Sequence, residues 1–353
     1  MEFLFEYGLF LAKVVSVAAA VLLIVAGVVA IGSRQRAAHH EGHIEVRKLN
    51  DHYRQMSDTL QGVAESPAAA KEQRKARKKA EKAEAKAAKK ARKKKSDTES
   101  EKRRKRLYVL DFDGDLRASA TDNLREEISV VLDQAGEGDE VLLRLESPGG
   151  LVHGYGLAAS QLRRLRDAGV PLTVAVDKVA ASGGYMMACV ADRIIAAPFA
   201  VLGSIGVLAQ LPNFHRLLKK HDVDFEVLTA GEYKRTLTLF GENTDKGRQK
   251  FLEDLEETHD LFKEFVGGNR PAVDMDSVAT GEIWYGSRAV DQKLVDELRT
   301  SDDFVQSSLQ DSDVFQVRFV YKKNWQEKFG LAAEGSLERV LLRLWQRGAG
   351  PHY

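Results

Sequence analysis

Ser182 lies in "KVAASGGYMMACVADRI" (178–194), with small residues on both sides and two glycines directly after it. The preceding "PLTVAVD" reads as a buried strand and the following residues as a helix, so the serine falls on a strand-to-helix turn. A serine so placed can act as a nucleophile if a base takes its proton and hydrogen-bond donors receive the oxyanion. The first turn of a helix leaves backbone N–H groups free, and Gly183 lets a carbonyl approach without obstruction. A second donor is available in "ESPGG", where Gly149 and Gly150 follow the end of a neighbouring strand. Losing one such donor typically costs about 100- to 1000-fold in rate.

The base is harder to find. Of nine histidines, His39, His40, His43, His52 and His352 belong to segments that read as anchor, linker or tail. His215 and His221 flank a short charged helix, and His259 falls within a long one. His153, after "GGLV", is the histidine to pair with Ser182 if one does, though no other feature supports that pairing. A lysine serves equally if burial lowers its pKa from about 10.4 toward 7 or 8, roughly 4 kcal/mol of differential interaction. "LTAGEYKRTLTLFGENT" holds the candidate, Lys234, after a predicted strand ("DFEVLTA") and before Leu237, Leu239 and Phe240. Spacing alone does not set it apart from an exposed loop lysine. Cys189, the only cysteine, lies among Met186, Met187, Ala188 and Val190 and reads as core packing. One cysteine excludes an internal disulfide framework and a CxxC metal site.

The elements that must position these groups alternate along the chain. "LYVLDFDG", "EVLLRLE" and "VPLTVAVD" read as strands. "TDNLREEISVVLDQA" reads as a helix with Thr121 or Asp122 as N-cap and Leu124, Ile128 and Val131 inward. "GYGLAASQLRRLRDAG" is a second helix, closed by Gly169. This order predicts a layered α/β fold with parallel strands. A long amphipathic helix follows, with Phe251, Leu255, Phe262, Phe265 and Val266 on one face. "GSLERVLLRLWQRG" carries a last stripe of Leu337, Val340, Leu341, Leu344 and Trp345. The apolar run at 186–211 is broken by Asp192, Arg193 and Pro198 and reads as short core strands rather than a membrane span.

Residues 14–31 form eighteen residues without a charge, close to the length that spans a bilayer. Glu2 and Glu6 precede the run and no A-x-A-like site ends it, so it reads as a retained anchor rather than a cleaved leader. Residues 71–95 carry fourteen Lys or Arg against three Glu, a local charge of +11 in a chain of net charge +1. Such a run cannot bury a core and reads as a tether. Beside an anchor it would attract anionic headgroups at roughly 1 kcal/mol per cation; with no aromatics interleaved, nucleic acid is not an expected partner. The expected domains are an anchor (1–36), a polar, Lys-rich, low-complexity tether (37–105), a catalytic domain (106–300) and a C-terminal extension with an amphipathic helix (301–353). Arg34, Arg36, Arg47 and Lys48 follow the span and favour a cytoplasmic catalytic domain at a bacterial inner membrane.

"SPGG", "AASGGYMMA", "GSIGV" and "GEYKR" occur in this order, and together they resemble the S49 peptidase family, of the signal-peptide-peptidase-A type, most closely its SohB-like branch. The resemblance covers about residues 107–298 and implies a ClpP/crotonase-like fold with a Ser-Lys dyad. Carried onto these motifs, it makes Ser182 the nucleophile and Lys234 the general base, gives oxyanion N–H groups to Gly149 and Gly183, and has the Ser204 hydroxyl orient the lysine. It implies no cofactor and no metal. The implied partners are unfolded or apolar peptides, cleaved signal peptides among them, and a homo-oligomer in which serine and lysine come from adjacent protomers. Lys293 departs from the pattern, standing where a glycine is common, which puts one local turn in question. Two other classes remain open: a non-catalytic peptide-binding scaffold, and a crotonase-like enzyme acting on acyl thioesters. Neither predicts Ser182 and Lys234 together, and no basic pocket for coenzyme A is visible in the sequence.

Overall fold

Five consecutive buried side chains, in β4 (Leu172–Val176), require a strand covered on both faces. The computed structural model provides that cover and describes residues 42–64 and 103–321, with isolated positions 79, 83 and 86. In chain order the elements begin with β1 (Gly42–Lys48), α1 (Leu49–Ala64), β2 (Lys105–Asp113), α2 (Thr121–Gln134), β3 (Glu140–Glu146), α3 (Val152–Asp167), β4, β5 (Val179–Ala181), α4 (Gly183–Ala188), β6 (Arg193–Ala196) and β7 (Val201–Gly203). There follow α5 (His215–Lys220), α6 (Asp245–Asn269), α7 (Met275–Val278), β8 (Ile283–Tyr285), α8 (Gly286–Ala289), β9 (Glu297–Leu298), α9 (Ser301–Ser308) and β10 (Ser312–Tyr321). The chain divides into two units, residues 1–45 with 319–353 and residues 46–318, and the second holds both Ser182 and Lys234.

The fold is mixed α/β. A seven-stranded sheet runs β1-β10-β2-β3-β4-β6-β9, and the pairs from β10 to β9 are parallel. A three-stranded sheet, β5-β7-β8, pairs β5 with β7 in parallel and β7 with β8 antiparallel. The two sheets meet at one parallel bridge between Ser147 and Ala180. Helices α2 and α3 supply Leu124, Ile128, Val131, Leu162 and Leu165 to the buried core. Gly169 ends α3 as expected, with φ +73° and its N–H on the Arg166 carbonyl.

Several sequence expectations change. Thr121 is the first residue of α2 rather than its cap, its hydroxyl donating to the Ala118 carbonyl at 2.6 Å. "DFEVLTA" forms no strand, and among the described residues no strand lies beside it to accept its ladder. The span drawn as a tether contains β1 and α1: Leu49 is 6% exposed, in a cluster with Phe304, Val305 and Val314. Asn50 fixes α1 there, its amide donating to the Leu309 and Ser312 carbonyls and its oxygen accepting the Val314 N–H at 2.7 Å. The domain also continues past residue 300, since β10 lies beside β2 within the main sheet. The expected anchor (14–31), the Lys-rich run (71–95, apart from positions 79, 83 and 86) and the C-terminal stripe (337–345) lie outside the described residues. Among the described residues no helix is long and apolar enough to cross a membrane.

The turn that Lys293 put in question does form. Lys293 adopts φ +62°, its N–H reaches the Val290 carbonyl, and its own carbonyl accepts from Arg270 at 2.9 Å. A left-handed non-glycine residue costs roughly 1–2 kcal/mol, so Lys293→Gly is expected to stabilise the fold by about 1 kcal/mol after glycine's extra chain entropy, read by denaturant titration. Arg270 also grips both oxygens of Asp296 at 2.9 and 2.7 Å, and Asp296 accepts the Ile194 N–H at 2.7 Å. Burial alone would raise the Asp296 pKa, but these hydrogen bonds and the Arg270 charge outweigh it and hold the carboxyl below its ordinary value. A carboxyl depressed in the folded state stabilises above its unfolded pKa of about 4 and loses that contribution as pH falls through the folded value. Arg270→Gln is therefore expected to flatten the fall in stability on acidification below about pH 4, measured as unfolding midpoint against pH.

Candidate active site

Three strand ends converge on Ser182: β2 before Gly114, β3 before the "SPGG" turn, and β5 before the serine itself. Carboxyl ends of parallel strands are where open α/β sheets place their sites. Gly114 N–H donates to the Glu146 carbonyl at 2.8 Å, joining the ends of β2 and β3. Two further backbone hydrogen bonds join β3 to β5, Ser147 N–H to the Val179 carbonyl at 2.8 Å and Ala181 N–H to the Ser147 carbonyl at 3.0 Å. Ser182 N–H donates to the Gly203 carbonyl at 2.8 Å, tying the serine turn to β7.

Ser182 has φ +52° and ψ −118°, immediately before α4. Such backbone costs a non-glycine residue about 1–3 kcal/mol and gathers at functional sites; a nucleophile on a strand-to-helix elbow has the same form. The half-buried hydroxyl makes no hydrogen bond to any described residue. Gly183 follows at the start of α4, and no described residue accepts its N–H. Gly149, at φ +90°, faces this N–H: a Cβ there would lie 2.8 Å from Gly183 N, 2.8 Å from Ser182 Cβ and 2.7 Å from the Ala181 carbonyl oxygen.

The N–H expected of Gly149 as a donor makes a hydrogen bond of its own. Gly149 N–H is committed to Ser147 Oγ at 3.1 Å, whereas no described residue accepts the N–H of Gly150. Sequence reasoning named Gly150 beside Gly149 but could not see which of the two N–H groups is occupied. It missed Ser147 and Tyr155 altogether. Ser147 stood inside a quoted motif, while Tyr155 reads as an ordinary apolar-face residue of α3.

Lys234 is not brought to Ser182 within the chain. It is exposed, in a turn where its N–H meets the Gly231 carbonyl at 3.2 Å, and no hydrogen bond or ion pair joins it to Ser182 or Ser204 among the described residues. The burial that a neutral amine needs is therefore absent from the single chain. From Ser204 to Thr244 the only regular element is α5, and the segment forms an arm with its own small aromatic cluster of Phe214, Phe225 and Phe240. Beside the lysine turn the arm borders a cleft of about 330 Å³ lined by residues such as Phe225, Tyr233, Thr236, Lys246 and Gly247. Apolar side chains stand open along it, Leu228 at 89% exposure and Leu208 at 78%. Ser204 is half-buried at φ +51°, its N–H on the Glu282 carbonyl at 2.7 Å. His153 is exposed and unbonded to Ser182, so nothing favours a Ser-His pair. His259 instead turns its Nε2 to the Ile205 carbonyl at 3.3 Å. Cys189 is fully buried, and burial pushes its thiol up to about 12.

The sequence profile described as Peptidase family S49 N-terminal matches residues 2–162, and that of Peptidase family S49 matches residues 164–314. The chain belongs to peptidase family S49. It is 52% identical over 342 residues to a Probable protease SohB of Haemophilus influenzae, covering 97% of this chain and 96% of that one. It is 48% identical over 305 residues to a Probable protease SohB of Buchnera aphidicola, covering 86% of this chain and 99% of that one. A solved structure of a 1510-N membrane-bound stomatin-specific protease is similar at TM-score 0.37 and 13% identity, over 58% of this chain and 86% of that one.

The contact between Gly149 and the elbow makes a direct test. Gly149→Ala is expected to cut labelling of Ser182 by a fluorophosphonate probe by about 100-fold or more, as loss of oxyanion geometry does. Gly156→Ala, where an added methyl meets nothing within 4 Å, should label at the wild-type rate.

Proposed function

We propose that the chain is a membrane-anchored serine endopeptidase that hydrolyses peptide bonds in unfolded or apolar peptides, cleaved signal peptides among them. The strained backbone of Ser182, beside an N–H of Gly183 that no described residue accepts, is the observation that carries this reading. Family membership supports a peptidase, and the main parallel sheet with its small attached sheet is consistent with a ClpP/crotonase-like arrangement.

In the proposed reaction the neutral Lys234 amine takes the Ser182 proton as Oγ attacks the peptide carbonyl. The oxyanion is received by the N–H groups of Gly183 and Gly150, the latter replacing Gly149. Lysine then returns the proton to the leaving amine, and afterwards activates the water that releases the acyl group. Ser204 holds the amine in line. Because Lys234 is exposed in the single chain, the base in this reading comes from a neighbouring copy whose arm covers its open apolar side chains on assembly; exposed patches of this kind mark interaction surfaces. Contact with that neighbour would supply the desolvation the amine requires. Residues 14–31 anchor the assembly, and the basic residues after them favour a catalytic domain on the cytoplasmic face of the inner membrane.

Cleavage of a labelled, unfolded apolar peptide by the solubilised full chain tests both parts. Ser182→Ala and Lys234→Ala are each expected to fall to background, and a mixture of the two variants, exchanged through dissociation, to regain activity that neither has alone. Full activity in Lys234→Ala removes the lysine from the reaction. A mixture that stays silent while each variant still assembles places both groups in one chain.

A further inference from the structure

Beneath the nucleophile turn lie two buried hydroxyls that the proposed reaction does not touch. Ser147 and Tyr155 are both 0% exposed, with their oxygens 2.6 Å apart. Tyr155 Oη donates to the Asp115 carbonyl at 2.8 Å, and Ser147 Oγ accepts the Gly149 N–H at 3.1 Å. These contacts fix the direction of each proton. A carbonyl only accepts, so the single Tyr155 proton points to Asp115, and the Tyr155 oxygen accepts from Ser147. The chain of donors therefore runs one way, from Gly149 N–H through Ser147 and Tyr155 to the Asp115 carbonyl.

Three glycines make room for this pair. A Cβ on Gly114 would lie 2.3 Å from Ser147 Oγ and 2.6 Å from Tyr155 Oη. On Gly183 it would lie 2.4 Å from the Tyr155 ring, and on Gly184 2.6 Å from the Ser147 carbonyl oxygen. The tyrosine thus touches both halves of the site: its ring lies against Gly183, and its hydroxyl holds the Gly149 peptide through Ser147.

We propose that Ser147 and Tyr155 are positioning residues for the oxyanion donors, an inference that rests on the proposed peptidase activity. The Gly149 N–H belongs to the peptide between Pro148 and Gly149. Holding that plane, with Gly149 at φ +90°, sets the direction of the next peptide, which carries the Gly150 N–H. Burial also raises the Tyr155 pKa, with the Ser147 hydrogen bond opposing, so the phenol keeps the proton that the relay needs.

The test compares full-length wild type, Tyr155→Phe, Ser147→Ala and the double variant. A peptide aldehyde forms a tetrahedral adduct: the serine Oγ–carbon bond forms, the carbonyl π pair moves to oxygen, and the base takes the serine proton. The matching peptide alcohol forms no adduct. Each single variant is expected to bind the aldehyde about 10- to 100-fold more weakly, within the range that disturbed oxyanion donors produce, with alcohol binding unchanged. The double variant should be no weaker than the weaker single, and amide exchange across residues 147–151 should quicken in both singles. Equal losses for aldehyde and alcohol, additive losses in the double variant, or unchanged exchange would each overturn the relay. Aldehyde binding that survives Ser182→Ala marks failure of the peptidase reading itself; binding that needs Ser182 but not Tyr155 marks failure of the relay alone.

Discussion

Everything in the site hangs on two backbone hydrogen bonds, Ser147 N–H to the Val179 carbonyl and Ala181 N–H to the Ser147 carbonyl. They join the end of β3 in the large sheet to β5 in the small one, and so fix the "SPGG" turn beside the serine elbow. Neither sheet alone carries both halves of the site. Because the bonds are backbone to backbone, they depend on strand register rather than on any one side chain, and register is set by the apolar pattern of β3 and β4. The core residues Val141, Leu142, Leu143 and Val174 therefore position the chemistry as surely as any polar group does.

Close approach is the second constraint. Gly114, Gly149, Gly183 and Gly184 all stand where a side chain would collide with the elbow or with the hydroxyls beneath it. Only Gly149 among these four also needs its positive φ. The crowding buries Ser147 and Tyr155 completely and packs the buried Gly183, whose N–H no described residue accepts, between Tyr155 and Gly149. The same small-residue packing removes water from the hydrogen bonds that hold the Gly149 peptide, where low local dielectric strengthens them.

The alternation of strands and helices was legible in the sequence because parallel strands buried on both faces leave unbroken apolar runs, as in β4. So was the serine turn, because small residues cluster where backbones must touch. The edges of the domain were not legible. β1 and α1 are polar by composition and join the fold through Leu49 and the single side chain of Asn50, contacts with residues some 260 positions away that no local pattern reports. β10 was lost for the same reason, since a strand that inserts beside β2 from the far end of the chain has no adjacent partner in sequence. "DFEVLTA" failed in the opposite direction: its alternation suits a strand, yet among the described residues no strand pairs with it. Gly149 and Gly150 are indistinguishable as letters, and only the direction of one N–H separates them.

The exposed arm that carries Lys234 bears on when such a protein acts. The serine turn and the Gly150 and Gly183 N–H groups, which no described residue accepts, lie together within one chain, while the Lys234 amine is exposed apart from them. Under the proposed assembly a newly made chain is latent because its amine lies apart from its serine. Onset then depends on how often protomers meet, and tethering them to a common surface raises their effective concentration without strengthening any contact. Abundance would act as the trigger, so proteolysis rises more steeply than expression and subsides when copies are diluted.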